Sequence, residues 1–147
     1  MASANADFLK HMSMFEDLDK ASLAAIANAA VEQRYEAGQE IVRQGDVGVG
    51  AFFIKSGKVD VIQEKGGKST KLASLGPGEV FGEMALLDEF PRSATVRAAE
   101  PTVTLGLQRW HFRGILESHP QIALALLPVL VKRLRNAERE DEASAKH

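Results

Sequence analysis

Glu83 and Arg92 are the residues of this 147-residue chain whose types and spacing best suit chemistry. They stand within one stretch, Phe81 to Val96, in which Gly82 and Glu83 open a short apolar helix and Pro91-Arg92-Ser93-Ala94 leads into a β-branched strand. Backbone amides at a helix start attract an anion. An arginine nine residues past the carboxylate can close over that anion with its planar fork. The carboxylate cannot bind the anion itself, so it must face a hydrogen-bond donor such as a sugar hydroxyl. An anion and a hydroxyl side by side suggest a nucleotide.

Elements on both sides must hold these groups in place. Phe8, Leu9, Met12 and Phe15 recur at helical spacing, and Leu23, Ile26, Ala27 and Ala30 do so again after Asp19, a candidate cap. From Val31 the texture becomes β. Candidate strands cover 31–35, 40–43, 51–55, 58–63, 70–75, 94–98 and 102–108, punctuated by Gly38, Gly57, Gly66-Gly67, Gly76-Pro77-Gly78 and Pro101. Residues 109–117 read as a helix, and Pro120 suits the first turn of another running toward Arg139. The expected fold is mainly β with flanking helices: a small β roll whose edges the terminal helices partly cover. It reads as a single domain over 1–147, with N-terminal helices in 1–30, the roll in 31–108, C-terminal helices in 109–139 and a tail in 140–147.

The stretch 81–96 closely resembles the phosphate-binding cassette of the cyclic nucleotide-binding domain, the family found in cAMP-dependent kinase regulatory subunits, cyclic nucleotide-gated channels and bacterial catabolite-activator-type regulators. Upstream, Gly38, Glu40, Ile41, Gln44, Gly45, Asp46, Gly48, Phe53, Ile54, Gly57, Val59 and Val61 follow that family's strand-and-turn pattern in order. The resemblance covers about nine-tenths of the chain, as a stand-alone bacterial-like member. It implies a jelly roll, or double-stranded β-helix, and a non-enzymatic sensor of cAMP, with cGMP as the alternative ligand and no metal.

The ligand set this implies is Phe81, Gly82, Glu83, Met84, Ala85, Arg92, Ser93, Ala94 and Arg133. Glu83 is assigned the ribose 2′-hydroxyl, against the simpler reading of a carboxylate favouring the helix dipole. Arg92 is assigned the cyclic phosphate, against a surface pairing with Asp88 or Glu89. The resemblance aims the backbone amides of Ala85 and Ser93 at phosphate oxygens. Gly82 is expected to keep a side chain off the sugar, Pro91 to fix the approach to Arg92, and Leu86 and Leu87 to anchor the cassette in the core. Serine at position 93 leans to cAMP by resemblance.

Val61, Ile62, Leu72, Val80 and Val96 are candidate walls for the purine, and any of them could equally be core. Helical projection puts Ile122, Leu126, Val129 and Leu130 on one face, with Arg133 central in that stripe and Arg135 opposite. Arg133 is therefore a candidate base contact, as in the family's channel members, or a snorkelling side chain. Pro128 inside the helix predicts a kink, and the segment beyond it is expected to swing over the nucleotide, relaying its binding to an effector protein.

Several function classes are excluded or weakened. A net charge of -2 argues against a broad nucleic-acid footprint. With no cysteine there is no thiolate-held iron–sulfur cluster. His11, His111, His119 and His147 lack metal-ligand spacing. Gly67-Lys68-Ser69 lacks the earlier glycine of a triphosphate loop and reads as a hairpin turn. No secretory start or membrane-length apolar run is visible, which predicts a cytoplasmic protein. Two other readings stand beside the sensor: the sensing half of a catabolite-activator-type regulator or channel, and a non-binding β-roll interaction module. The apolar stripe of the last helix leaves homodimerisation open.

Overall fold

The computed structural model describes residues 2–89 and 91–145. Two helices come first, α1 (Ala2–Lys10) and α2 (Lys20–Ala29). Asp19 caps α2, its carboxylate accepting from the Ser22 amide at 3.2 Å and the Ser22 hydroxyl at 2.5 Å. Met12 and Phe15 lie in turns after α1 rather than within it, yet both are buried. Eight strands follow in part: β1 (Val31–Tyr35), β2 (Glu40–Val42), β3 (Gly50–Ser56), β4 (Val59–Lys65), β5 (Lys68–Leu75) and the short β6 (Val80–Phe81), which the sequence pattern does not predict. A 3-10 turn spans Glu83–Leu86, then β7 (Thr95–Ala98), β8 (Thr102–Gln108), α3 (Arg109–Ser118) and α4 (Gln121–Ala145). Helix α4 thus runs past Arg139, through residues expected as a tail. The Ala- and Glu-rich composition of that segment favours helix.

Among the described residues all strand pairs are antiparallel, in two four-stranded sheets ordered β1-β8-β3-β6 and β2-β7-β4-β5. The alternation of β3 builds two cores from one strand. Phe53 faces the helices, packing on Phe15 at 5.3 Å between ring centroids and joining Leu9, Ile26, Leu105, Phe112 and Ile122. Ile54 faces the other way, into a smaller core between the sheets with Val59, Phe81 and Val96. The hairpin at Gly66-Gly67 turns with φ of 59° and 80°, which glycine alone adopts freely. Among the described residues, no helix is long and apolar enough to cross a membrane.

Candidate functional site

The cassette is the crossover between the sheets: it leaves the first sheet at β6 and enters the second at β7. A cleft of ≈ 410 Å³ lies along it, lined by Gly82, Glu83, Met84, Ala85, Arg92 and Ser93, with Phe81 and Ala94 at its ends. Its apolar floor comes from the second sheet. Val42 pairs with Val96 and Val96 with Val61, so three valines stand in a cross-strand row under the cleft.

Arg92 is the centre of the site. Its Nη2 donates to the Gly50 carbonyl at 2.7 Å, and its guanidinium carbon lies 6.0 Å from the Phe52 ring centroid, the outer reach of a cation–π contact. Phe52 is itself stacked on Phe81 at 5.1 Å. Burial lowers the Arg92 pKa from its ordinary value, the mark of a cation partly stripped of water. Among the described residues no carboxylate forms an ion pair with it. Glu89, the surface partner weighed from sequence, pairs instead with Arg109 at 3.3 Å. Two glycines make room for the guanidinium. A Cβ on Gly48 would stand 2.9 Å from Arg92 Nε, and one on Gly82 would overlap Arg92 Nη1. Gly82 also holds φ at 73°. Its smallness therefore serves Arg92, not only an incoming sugar.

The backbone around the site differs from expectation in one respect. The Ala85 amide donates to the Gly82 carbonyl at 3.0 Å, as the i to i+3 pattern of a 3-10 turn requires. It is already engaged within the cassette. The Ser93 carbonyl accepts from Gln63 Nε2 at 3.1 Å, which ties β4 to the far side of the cleft.

Other assignments are corrected. Leu86 is buried, but Leu87 is 51% exposed and only edges the small apolar hollow beneath α4. Of the proposed purine walls, Val61 and Val96 line the cleft and Ile62, Leu72 and Val80 do not. Leu72 sits at a bulge, since Val61 pairs with Ala73 and Ile62 with Lys71, leaving it out of the ladder and exposed. Val80 packs on the helix-side core.

Arg133 lies on the inner stripe of α4, as its helical phase implies, but it lines a small apolar hollow behind the cleft and not the cleft itself, and its Nη1 pairs there with Glu83 Oε1. The structure thus joins two predicted site residues to each other. Arg109, which braces the cassette, was missed by sequence reasoning. Its Nη1 donates to the carbonyls of Gly48 at 2.8 Å, Asp88 at 2.8 Å and Ala85 at 3.3 Å, so one side chain ties the β2–β3 loop to the cassette. A cation in the first turn of a helix opposes the macrodipole, and that was the signal available. Val42, Phe52 and Gln63 were also missed.

The sequence pattern of the cyclic nucleotide-binding domain matches residues 32–119, the roll and α3 together. The chain belongs to the cyclic nucleotide-binding domain family. This domain is 43% identical over 107 residues to the cyclic AMP receptor protein of Thermus thermophilus, covering 72% of this chain and 50% of that protein. The crystal structure of Thermus thermophilus catabolite activator protein superposes with a TM-score of 0.80 at 36% identity, over 90% of this chain and 62% of that one. The regulatory domain of Toxoplasma gondii PKA, crystallised with cAMP, gives a TM-score of 0.78 at 25% identity, over 92% of this chain and 50% of that one. The domain spans half or less of the curated relatives it matches. Family and fold agree with the β roll read from the sequence, and the family is one of ligand-binding regulatory domains.

Proposed function

We propose that this domain binds a cyclic nucleotide, cAMP in preference to cGMP, in the cleft along the cassette, and passes the signal on through α4. The observation that carries the reading is Arg92: a partly desolvated guanidinium, held by a carbonyl and an aromatic face, with no carboxylate pairing among the described residues. Such a cation is an anion receptor, and a cyclic phosphate is a monoanion. Glu83 lies on the same cleft and takes the ribose 2′-hydroxyl. The valine row of β2, β7 and β4 offers an apolar face for the base. Phe81, Met84, Ala85, Ser93 and Ala94 complete the lining, and Arg133 reaches it through Glu83.

Titration calorimetry with cAMP and cGMP tests the reading. Arg92→Ala should weaken cAMP by tens- to thousands-fold, since truncating one member of a buried charge pair costs about 2–5 kcal/mol. Affinity unchanged in that variant would refute the phosphate role, and a wild-type chain that binds neither ligand would make it a non-binding interaction module.

A second feature bears on partners. The face of α4 turned away from the roll exposes Leu124 (72%), Leu127, Val131 and Leu134 (61%), at alternating spacings of three and four. That is the a/d seam of a coiled coil. It supports a domain that works joined to another surface, either its own copy or an effector, and suits the sensing half of a longer cytoplasmic regulator.

A further inference from the structure

We propose that Arg133 is a positioning residue that makes the site selective for a ribose over a deoxyribose, acting on the sugar through Glu83 rather than on the base. This rests on the reading of Glu83 as the group that receives the 2′-hydroxyl.

The placement of the two side chains carries it. Glu83 belongs to two hollows at once: the nucleotide cleft and a small apolar hollow beneath α4 bounded by Leu86, Phe112, Leu126, Val129 and Leu130. Arg133 lines the second and not the first. It therefore meets Glu83 from behind, across the wall of the cleft, and pairs with Oε1. A carboxylate offers about four acceptor sites on two oxygens, so Oε2 is left to accept a hydroxyl from the cleft side. The Glu83 side chain is 21% exposed and that of Arg133 is 39% exposed, so the pair is partly shielded from water and its attraction is less screened than on an open surface.

Two consequences follow for a ligand. Pinning Oε1 fixes the carboxylate plane, so the hydroxyl meets an acceptor already aimed. The pairing also cancels the charge of Glu83, which otherwise would sit beside a bound monoanion and repel it. Because Arg133 is on α4, five residues past Pro128, hydroxyl recognition and the docking of that helix share one carboxylate. Coupling through a shared group is reciprocal: what the helix does for the hydroxyl, the hydroxyl does for the helix.

The test is titration calorimetry on the full chain with cAMP and 2′-deoxy-cAMP, using wild type, Arg133→Gln, Arg133→Lys, Glu83→Gln and the Arg133→Gln/Glu83→Gln double variant. Thermal melts confirm that each remains folded. Arg133→Gln should weaken cAMP by about tenfold, within the usual range of coupling between sites, and weaken the deoxy analogue less, so the ribose preference shrinks. Arg133→Lys should restore part of that preference. In the Glu83→Gln background, Arg133→Gln should add no further loss.

Equal losses for both ligands that persist without Glu83 would mean a direct contact with base or phosphate, and would overturn the proposal. Tighter binding by Arg133→Gln would overturn it too, by making Arg133 a competitor for the carboxylate, as would unchanged affinity. These outcomes differ from failure of the site itself, in which wild type would bind neither nucleotide.

Discussion

A single methyl group at position 82 should separate the binding of the ligand from the stability of the roll. Gly82→Ala does two things. The backbone at φ 73° becomes unfavourable for a residue with a Cβ, at about 1–2 kcal/mol. For a domain of this size that lowers Tm by about 2–8 °C. The new Cβ also takes space held by Arg92 Nη1. That group is the far end of a flexible side chain, so the collision is relieved cheaply, by the guanidinium retreating roughly 1.5 Å to van der Waals distance. The retreat draws it from the Gly50 carbonyl and spoils a two-point grip on phosphate oxygens. If half of the roughly 2–5 kcal/mol for a full truncation is forfeited, affinity falls about 5- to 70-fold. Gly78→Ala is the control. Its φ of 86° carries the same backbone penalty, but nothing lies within 4 Å of the added Cβ. Both variants should melt earlier in scanning calorimetry, and only Gly82→Ala should lose cAMP by isothermal titration. If Gly82→Ala melts earlier yet binds within twofold of wild type, the placement of Arg92 is not what captures the ligand.

Three other outcomes are expected. Arg109→Met strips hydrogen bonds from the carbonyls of Gly48, Ala85 and Asp88, so chemical denaturation should show a loss of about 1–3 kcal/mol for each one left dry, with weaker nucleotide binding in the folded fraction. Arg92→Ala, by contrast, relieves a desolvated cation and leaves one carbonyl, that of Gly50, without its donor rather than three, so its urea stability should fall less than that of Arg109→Met while its nucleotide binding falls more, which separates a binding role from a structural one. Asp19→Ala should lower Tm at pH 7. The Asp19 pKa is depressed below 3.8, chiefly by the Ser22 hydroxyl, so its contribution is present above that value and lost as pH falls through the folded pKa. The gap in Tm between variant and wild type should therefore close in acid.

The sequence exposed what is periodic or local and hid what depends on contact between distant segments. Asp19 could be read as a cap because capping is decided within one turn. The inner face of α4 and the place of Arg133 on it followed from the helical repeat alone. The partner of Arg133 did not, because phase gives a direction and not a neighbour. Leu72 looked like a wall residue because simple alternation was assumed along β5, and the bulge opposite Val61 and Ile62 broke that alternation. Leu87 seemed buried by hydrophobicity, although a 3-10 turn of four residues is too short to bury both members of the Leu86-Leu87 pair. Gly48 and Gly82 belonged to the expected pattern, yet their common purpose around Arg92 emerged only once the β2–β3 loop and the cassette lay side by side. Arg109 reaches its partners across 21 to 61 positions of chain, a span no local pattern can register.

The cassette's course between two sheets bears on how occupancy spreads. Its start hangs from β6 and its end feeds β7, while Arg92 is stitched by its own amide and carbonyl to Asp46 and Gly45 at 2.7 and 2.9 Å. A molecule gripped near Gly82 and Glu83 at one end and near Arg92 and Ser93 at the other is a rivet through the seam of the roll. Its footprint is then larger than its contacts: β1 and β5, the outermost strands on opposite flanks, should each exchange amide hydrogens more slowly although neither touches it.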